Sequence, residues 1–263
     1  MRGRITLIVL LDLLFLLLLT ASAVIDGVGG RVIYYLAYIL PVGIGLLYAK
    51  KTGTKSTMRL LPSEPLSSLA LFAPTLIAVI GISAATAAIL TALGKTNVTD
   101  VSGNLFAELL RHALVPAVLE ELLFRYVPTR LLGDRSPRVA LAVSAVMFAL
   151  IHLNLFQIPY ALFAGGVLAF ITLSSGSIIP AMLLHFINNT VSVICMREPE
   201  MLSMPICLAL LLLCVPSVIY IVFKKSKYRE MIGRAFSGER LGFSPELCVA
   251  VLLCVIAAIL NLR

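Results

Sequence analysis

The sequence predicts an all-α, polytopic transmembrane helical bundle of about eight or nine spans, and three observations predict it. Apolar residues make up 60% of the 263-residue chain and charged residues only 13%, against roughly 45–50% and about 25% in a soluble globular domain. Apolar stretches that reach the roughly 20 residues needed to cross a bilayer recur along the chain. None of the long runs shows the strict alternation of a membrane barrel, and a helix satisfies its own backbone where lipid offers no partner.

Candidate spans fall at about 5–25, 31–49, 65–93, 105–128, 137–154, 157–174, 177–196, 202–223 and 245–262. Together they form one integral membrane domain, 1–263, with its polar core at about 105–196. The first span begins with Met1-Arg2-Gly3-Arg4 and ends near Ala21-Ser22-Ala23, so it also reads as a cleavable signal peptide. Its apolar run exceeds the usual length of about 7–15 residues, and a retained helix is the expectation. Cleavage would leave eight spans.

The formal charge of +8 is grouped. Lys50, Lys51, Lys55 and Arg59 follow the second span, and Arg130, Arg135 and Arg138 follow the fourth. Lys224, Lys225, Lys227, Arg229, Arg234 and Arg240 follow the eighth. The opposite connections balance base with acid: Asp26 with Arg31, Lys95 with Asp100, and Arg197 with Glu198 and Glu200. By the positive-inside rule the expectation is a multi-pass protein of the cell membrane, with its N-terminus and main basic loops cytoplasmic. Basic residues beside membrane spans lie close to anionic headgroups, which argues against a nucleic-acid partner. The Asn97-Val98-Thr99 sequon falls on the outer side. Cys195, Cys207, Cys214, Cys248 and Cys254 sit in apolar segments without a CxxC pair, so they suggest packing rather than a disulfide framework. The hydrophilic insert 224–244 reads as a cytoplasmic interfacial stretch.

Ionised side chains at a helix centre cost about 2.5–3.5 kcal/mol or more, so those present call for partners or a site. They are Asp12, Glu108, Arg111, His112, Glu120, Glu121, Arg125, His152 and His185. Glu121 and Arg125 are four apart, the spacing of an ion pair on one helix face. Glu120 projects about 100° away and has no partner within its own helix. Arg125 can then hold Glu121 ionised, leaving Glu120 free as a base. The hexapeptide alone fits an interhelical polar clasp equally well. His152 stands four residues after Phe148, and His185 and Asn189 share a face at i, i+4; either could be interhelical glue. Glu108 and His112 are spaced to pair as an interfacial anchor, and Asp12 has no evident role.

Depth joins the pieces. Counted from the connection near 133–136, Glu120 and His152 both lie roughly 20–24 Å along their helices. Counted from Gly176, His185 and Asn189 lie at roughly 14 and 20 Å. A carboxylate and an imidazole can together activate water, and a His–Asn pair can donate to the oxyanion of a tetrahedral intermediate. That set describes amide hydrolysis without a covalent nucleophile. Ser144 and Ser192 lie in these spans, but no Ser-His-Asp set is suggested. A second reading makes Glu120, His152 and His185 ligands of a catalytic zinc, although no HExxH is present.

Glu120-Glu121-x-x-x-Arg125, Phe148-x-x-x-His152 and His185-x-x-x-Asn189 resemble, in order, the three signatures of the CAAX prenyl protease and bacteriocin-processing (CPBP, or Abi) family. The resemblance covers roughly 105–196, and the flanking helices match only in being transmembrane. It implies a bundle of about eight spans and metal-independent endoproteolysis by a Glu-activated water, with no cofactor. By resemblance Glu120 is the base, His152 assists it, His185 and Asn189 form the oxyanion hole, and Glu121 and Arg125 support them. The implied partners are the lipid bilayer and a membrane-associated peptide or protein substrate, prenylated or not. Two further classes compete: a proton-coupled carrier, since intramembrane acids and histidines also build relays, and a non-catalytic immunity or scaffold protein. A carrier would need broken helices or inverted repeats, of which only Pro41, Pro74, Pro116 and Pro216 are candidates. Ala164-Gly165-Gly166 permits either close helix packing, the expected use, or room for a lipid chain.

Overall fold

A computed structural model describes residues 1–54, 58–96, 103–240, 242 and 244–260. Lys55, Asp100 and the Asn97 sequon lie outside the described residues. The described chain is helical throughout, in ten helices: α1 (Arg2–Val24), α2 (Gly27–Lys51), α3 (Pro65–Ala92), α4 (105–132), α5 (Pro137–Leu150), α6 (Ile158–Ser175), α7 (Ile179–Arg197), α8 (Pro199–Phe223), α9 (Lys225–Ala235) and α10 (Pro245–Leu260). The protein is a polytopic all-α bundle.

Among the described residues six helices are long and apolar enough to cross a membrane: α1, α2, α3, α6, α7 and the Met204–Phe223 part of α8. Two further apolar helices, α5 with 14 residues and α10 with 16, are shorter. At 1.5 Å per residue they extend about 21 and 24 Å, short of a hydrocarbon core of about 30 Å. Helix α4 is continuous but contains two π-helical turns, Leu110–Leu114 and Leu122–Tyr126. Such turns are concentrated at functional sites, and the second begins directly after Glu121 and contains Arg125.

Helix α5 ends earlier than the span at 137–154 anticipates, and the cause is local. The His152 ring donates from Nδ1 to Phe148 O at 2.9 Å, while the backbone N–H of His152 goes to Ala149 O at 3.4 Å. The side chain has taken the carbonyl that the next α-helical N–H would have used. The turn that follows contains Leu153 at φ 46, a left-handed conformation uncommon for a branched side chain. Asn154 then caps the next turn by accepting from Phe156 N at 2.9 Å. Non-helical backbone at membrane depth is tolerated where it is buried in protein or lines a cavity. Ile151 and Phe156 are buried here, and His152 lines a cleft.

Two apolar clusters hold the bundle. One joins α1, α2, α4 and α5 through residues such as Ile8, Phe15, Tyr38, Phe124, Val143 and Phe148. The other joins α3, α6, α7 and α8 through Phe72, Leu76, Leu168, Ile171, Leu184 and Leu210. Gly45 permits α2 to approach α4, since a Cβ there would lie 2.8 Å from Val127 Cγ1. Gly176, at φ 71, ends α6 in the left-handed conformation that glycine supplies cheaply and turns the chain into α7.

Several basic connections gather at one end of the bundle. Arg4 donates to Leu131 O at 2.7 Å and meets Asp134 at 3.2 Å. Arg138 Nε donates to Phe236 O at 2.9 Å, and Ser136 Oγ to Glu239 O at 2.6 Å. Helix α9 lies across this end with Tyr228, Met231 and Ala235 buried, and the Tyr228 hydroxyl donates to Ser67 O at 2.9 Å. Lys227 pairs with Glu64, and that contact raises the Lys227 pKa above its ordinary value.

Candidate active site

The site forms where the two clusters meet. Glu121 and Arg125 face each other at 2.8 Å, both with side chains 0% exposed. The pair is an ion contact rather than an aligned hydrogen bond, because no Arg125 nitrogen has a hydrogen-bond partner among the described residues. The guanidinium carbon instead lies 4.0 Å from the centroid of the Phe148 ring. A buried charge needs compensation, and here a carboxylate and an aromatic face supply it.

Glu121 has a second partner on another helix. Its Oε1 accepts from His185 Nδ1 at 2.8 Å. A carboxylate can only accept, so this contact puts the Nδ1 proton on His185 and turns Nε2 inward. Nε2 lies 3.8 Å from Glu120 Oε2. The other Glu120 oxygen, Oε1, accepts from the Tyr38 hydroxyl at 3.4 Å. The Glu120 side chain is 13% exposed, in contrast to its fully buried neighbour.

His152 approaches from the end of α5. Its Nδ1–H is taken by Phe148 O, so Nε2 is the nitrogen left to accept. The Phe148 ring stands edge-on to both imidazoles, 5.2 Å from His152 and 5.5 Å from His185. On α7, Asn188 Nδ2 donates to Asn189 Oδ1 at 3.3 Å, which leaves the Asn189 amide nitrogen available as a donor.

His152, His185, Asn188 and Asn189 line one cleft, of about 440 Å³ when its open mouth is included, together with Thr75, Phe148, Tyr160 and Ala164. The structure therefore brings His152, His185 and Asn189 to one cavity. Glu120 is not among the residues lining it and reaches it through His185; no hydrogen bond or ion pair joins Glu120 to His152. Among the described residues no group of three His, Cys, Asp or Glu side chains could hold a metal ion. Glu108 and His112 pair at 3.2 Å, with the His112 side chain 55% exposed. Asp12 is buried, and its Oδ2 has no hydrogen-bond partner among the described residues.

Tyr38 and Asn188 are absent from the sequence-derived site. Tyr38 lies in an apolar span as an ordinary aromatic residue, and nothing in the sequence distinguishes it. Asn188 carried a signal, since two adjacent amides in a membrane helix are costly. The glycine stretch divides by function. A Cβ on Gly165 would lie 3.0 Å from Phe148 Cδ1 and 3.3 Å from the Ala145 backbone, so that glycine serves close packing. Gly166 lines a second, apolar groove with Leu71, Pro74, Phe163, Phe170 and Phe236, enclosing about 980 Å³ with its open mouth. Thr75 borders both the cleft and the groove.

These features define the class first: a multi-pass membrane protein with acids, imidazoles and amides converging inside its bundle. The family follows, because residues 102–191 match the family described as type II CAAX prenyl endopeptidase, Rce1-like. The matched segment is similar to that family and contains all three ordered motifs. No curated protein and no solved structure matches the chain.

Proposed function

We propose that the protein is an intramembrane endopeptidase that hydrolyses a lipidated, membrane-associated peptide by an activated water. The observation that carries this reading is His185, which binds Glu121 through one nitrogen, faces Glu120 with the other, and shares a cleft with His152 and Asn189. Glu120 takes one proton from water, and His152 Nε2 accepts a hydrogen bond from the O–H that remains and so orients the attack. The hydroxide adds to the scissile carbonyl. The oxyanion receives hydrogen bonds from Asn189 and from His185 Nε2. His185 Nδ1 already donates to Glu121, so a donating Nε2 means that His185 works as the imidazolium, with a carboxylate on each side. Glu120 then returns its proton to the leaving amine. Glu121 and Arg125 hold the imidazole in place. The apolar groove that shares Thr75 with the cleft supports a substrate with a prenyl or similar chain, since it offers a long hydrocarbon an apolar bed near the reacting bond.

The test is cleavage of a prenylated and an unprenylated peptide by the purified protein in proteoliposomes. Glu120→Gln and His152→Ala are each expected to lower kcat by about 10²–10⁴-fold while the protein remains folded. Normal cleavage by Glu120→Gln would sink the assignment. Activity is expected to survive metal chelators; loss on chelation and recovery with zinc would favour zinc catalysis instead.

A further inference from the structure

Glu120 carries two oxygens with different neighbours, and one neighbour lies outside the Rce1-like segment. Oε2 faces His185, and Oε1 accepts from the hydroxyl of Tyr38 on α2. Tyr38 is 3% exposed, and a buried phenol hydroxyl needs a polar partner. Its ring is gripped edge-on by Phe15 of α1 at 4.8 Å and by Tyr34 at 5.5 Å. Phe15 in turn stands edge-on to Phe124 at 5.8 Å, on the helix that bears Glu120. The aromatic chain fixes the Tyr38 ring, and the ring fixes where its hydroxyl points. Tyr38 is the residue that hydrogen-bonds Glu120 among those described.

We propose that Tyr38 is the positioning residue of Glu120, so that the acid–base centre of the Rce1-like domain is completed by the α1–α2 hairpin. By occupying Oε1 the phenol holds the carboxylate plane and leaves Oε2 directed towards His185 and the reacting water. Such control is needed because Glu120 makes no ion pair within its own helix and would otherwise sample several rotamers. The kinetic consequence rests on the hydrolytic reading; the hydrogen bond itself does not.

The experiment uses the full-length protein in proteoliposomes with Tyr38→Phe, which deletes the hydroxyl and keeps the ring. A hydrogen bond to a charged group is worth enough that kcat is expected to fall about tenfold or more, with KM within about twofold and the thermal midpoint nearly unchanged. Tyr35→Phe, an exposed neighbour on the same helix, is the control and retains wild-type kinetics. A purely structural role for Tyr38 would leave kcat intact in Tyr38→Phe, and that result overturns the proposal. Infrared difference spectra provide a readout without turnover: the Glu120 carboxyl band, assigned by its loss in Glu120→Gln, shifts in Tyr38→Phe. If the wild type cleaves no peptide, the hydrolytic reading fails and the band decides on Tyr38 alone. A moved band supports the contact, and an unmoved band overturns it.

Discussion

The chain contains the spacing Glu-x-x-x-Arg twice, at Glu121–Arg125 and at Glu230–Arg234. Both pairs form, and both place the acid on the N-terminal side, the favourable order on a helix. Their surroundings differ in almost every other respect. Glu121 and Arg125 are 0% exposed, Arg125 lies in a π-turn that starts after Glu121, and the carboxylate is shared with His185. Glu230 and Arg234 lie on the regular helix α9, with side chains 53% and 40% exposed. Arg234 also donates to Ser174 O at 3.2 Å and helps hold α9 to the end of α6. Spacing therefore predicts that a pair forms but not its energetic worth, which depends on how much water the tertiary structure removes from around it.

The largest expected effect comes from breaking the buried pair. Arg125→Met takes the guanidinium from the buried Glu121 and leaves it only the contact with His185, which is expected to cost about 3–5 kcal/mol, read from reversible unfolding in detergent, with loss of cleavage. Replacing both partners, as in Glu121→Leu with Arg125→Met, is expected to recover much of that stability without restoring activity, because His185 loses its acceptor. A double variant as unstable as the single one would show that the pair does more than neutralise itself.

Two adjacent glycines sharpen the same contrast between crowded and open surroundings. Gly165→Ala pushes a methyl against Phe148 and the α5 backbone, and overpacking of this kind costs about 1–3 kcal/mol. Gly166→Ala meets only Ala145 Cβ at 4.0 Å and gains helix propensity of up to about 1 kcal/mol. Opposite signs in the measured unfolding free energies are the expected result.

Breaking the outer pair should matter least. Arg234→Ala is expected to change stability by at most about 1 kcal/mol, as exposed pairs do. Its pH dependence is defined by Glu230, whose carboxyl is held below its ordinary value by the hydrogen bond and charge of Arg234. A depressed carboxylate contributes above its unfolded pKa and loses that contribution as pH falls through the folded value. Amide exchange in α9 should therefore quicken below the usual carboxylate range of about pH 4, and Arg234→Ala should weaken that dependence, leaving the part that Lys227 supports. Exchange that is unchanged by acid would show that Tyr228, Met231 and Ala235 alone secure the helix.

Much was legible in the sequence because it depends on a helix's own geometry. Long apolar runs marked the spans, i, i+4 spacing marked Glu121–Arg125 and Glu108–His112, and overlapping depth along three helices pointed to Glu120, His152, His185 and Asn189, of which the last three share the cleft. The end of α5 was not legible, because the His152 side chain and the left-handed Leu153 end it, and neither is a periodicity. Only the tertiary structure decided which carboxylate His185 would bind, that Tyr38 would reach Glu120 from a distant span, and that Gly165 and Gly166 would serve different ends. The physical reason is the same throughout. Periodicity encodes the relative direction of side chains within one helix, whereas the rotation of one helix against another is set by side-chain packing at the crossings, here by Phe15, Phe124, Phe148 and the close approaches at Gly45 and Gly165.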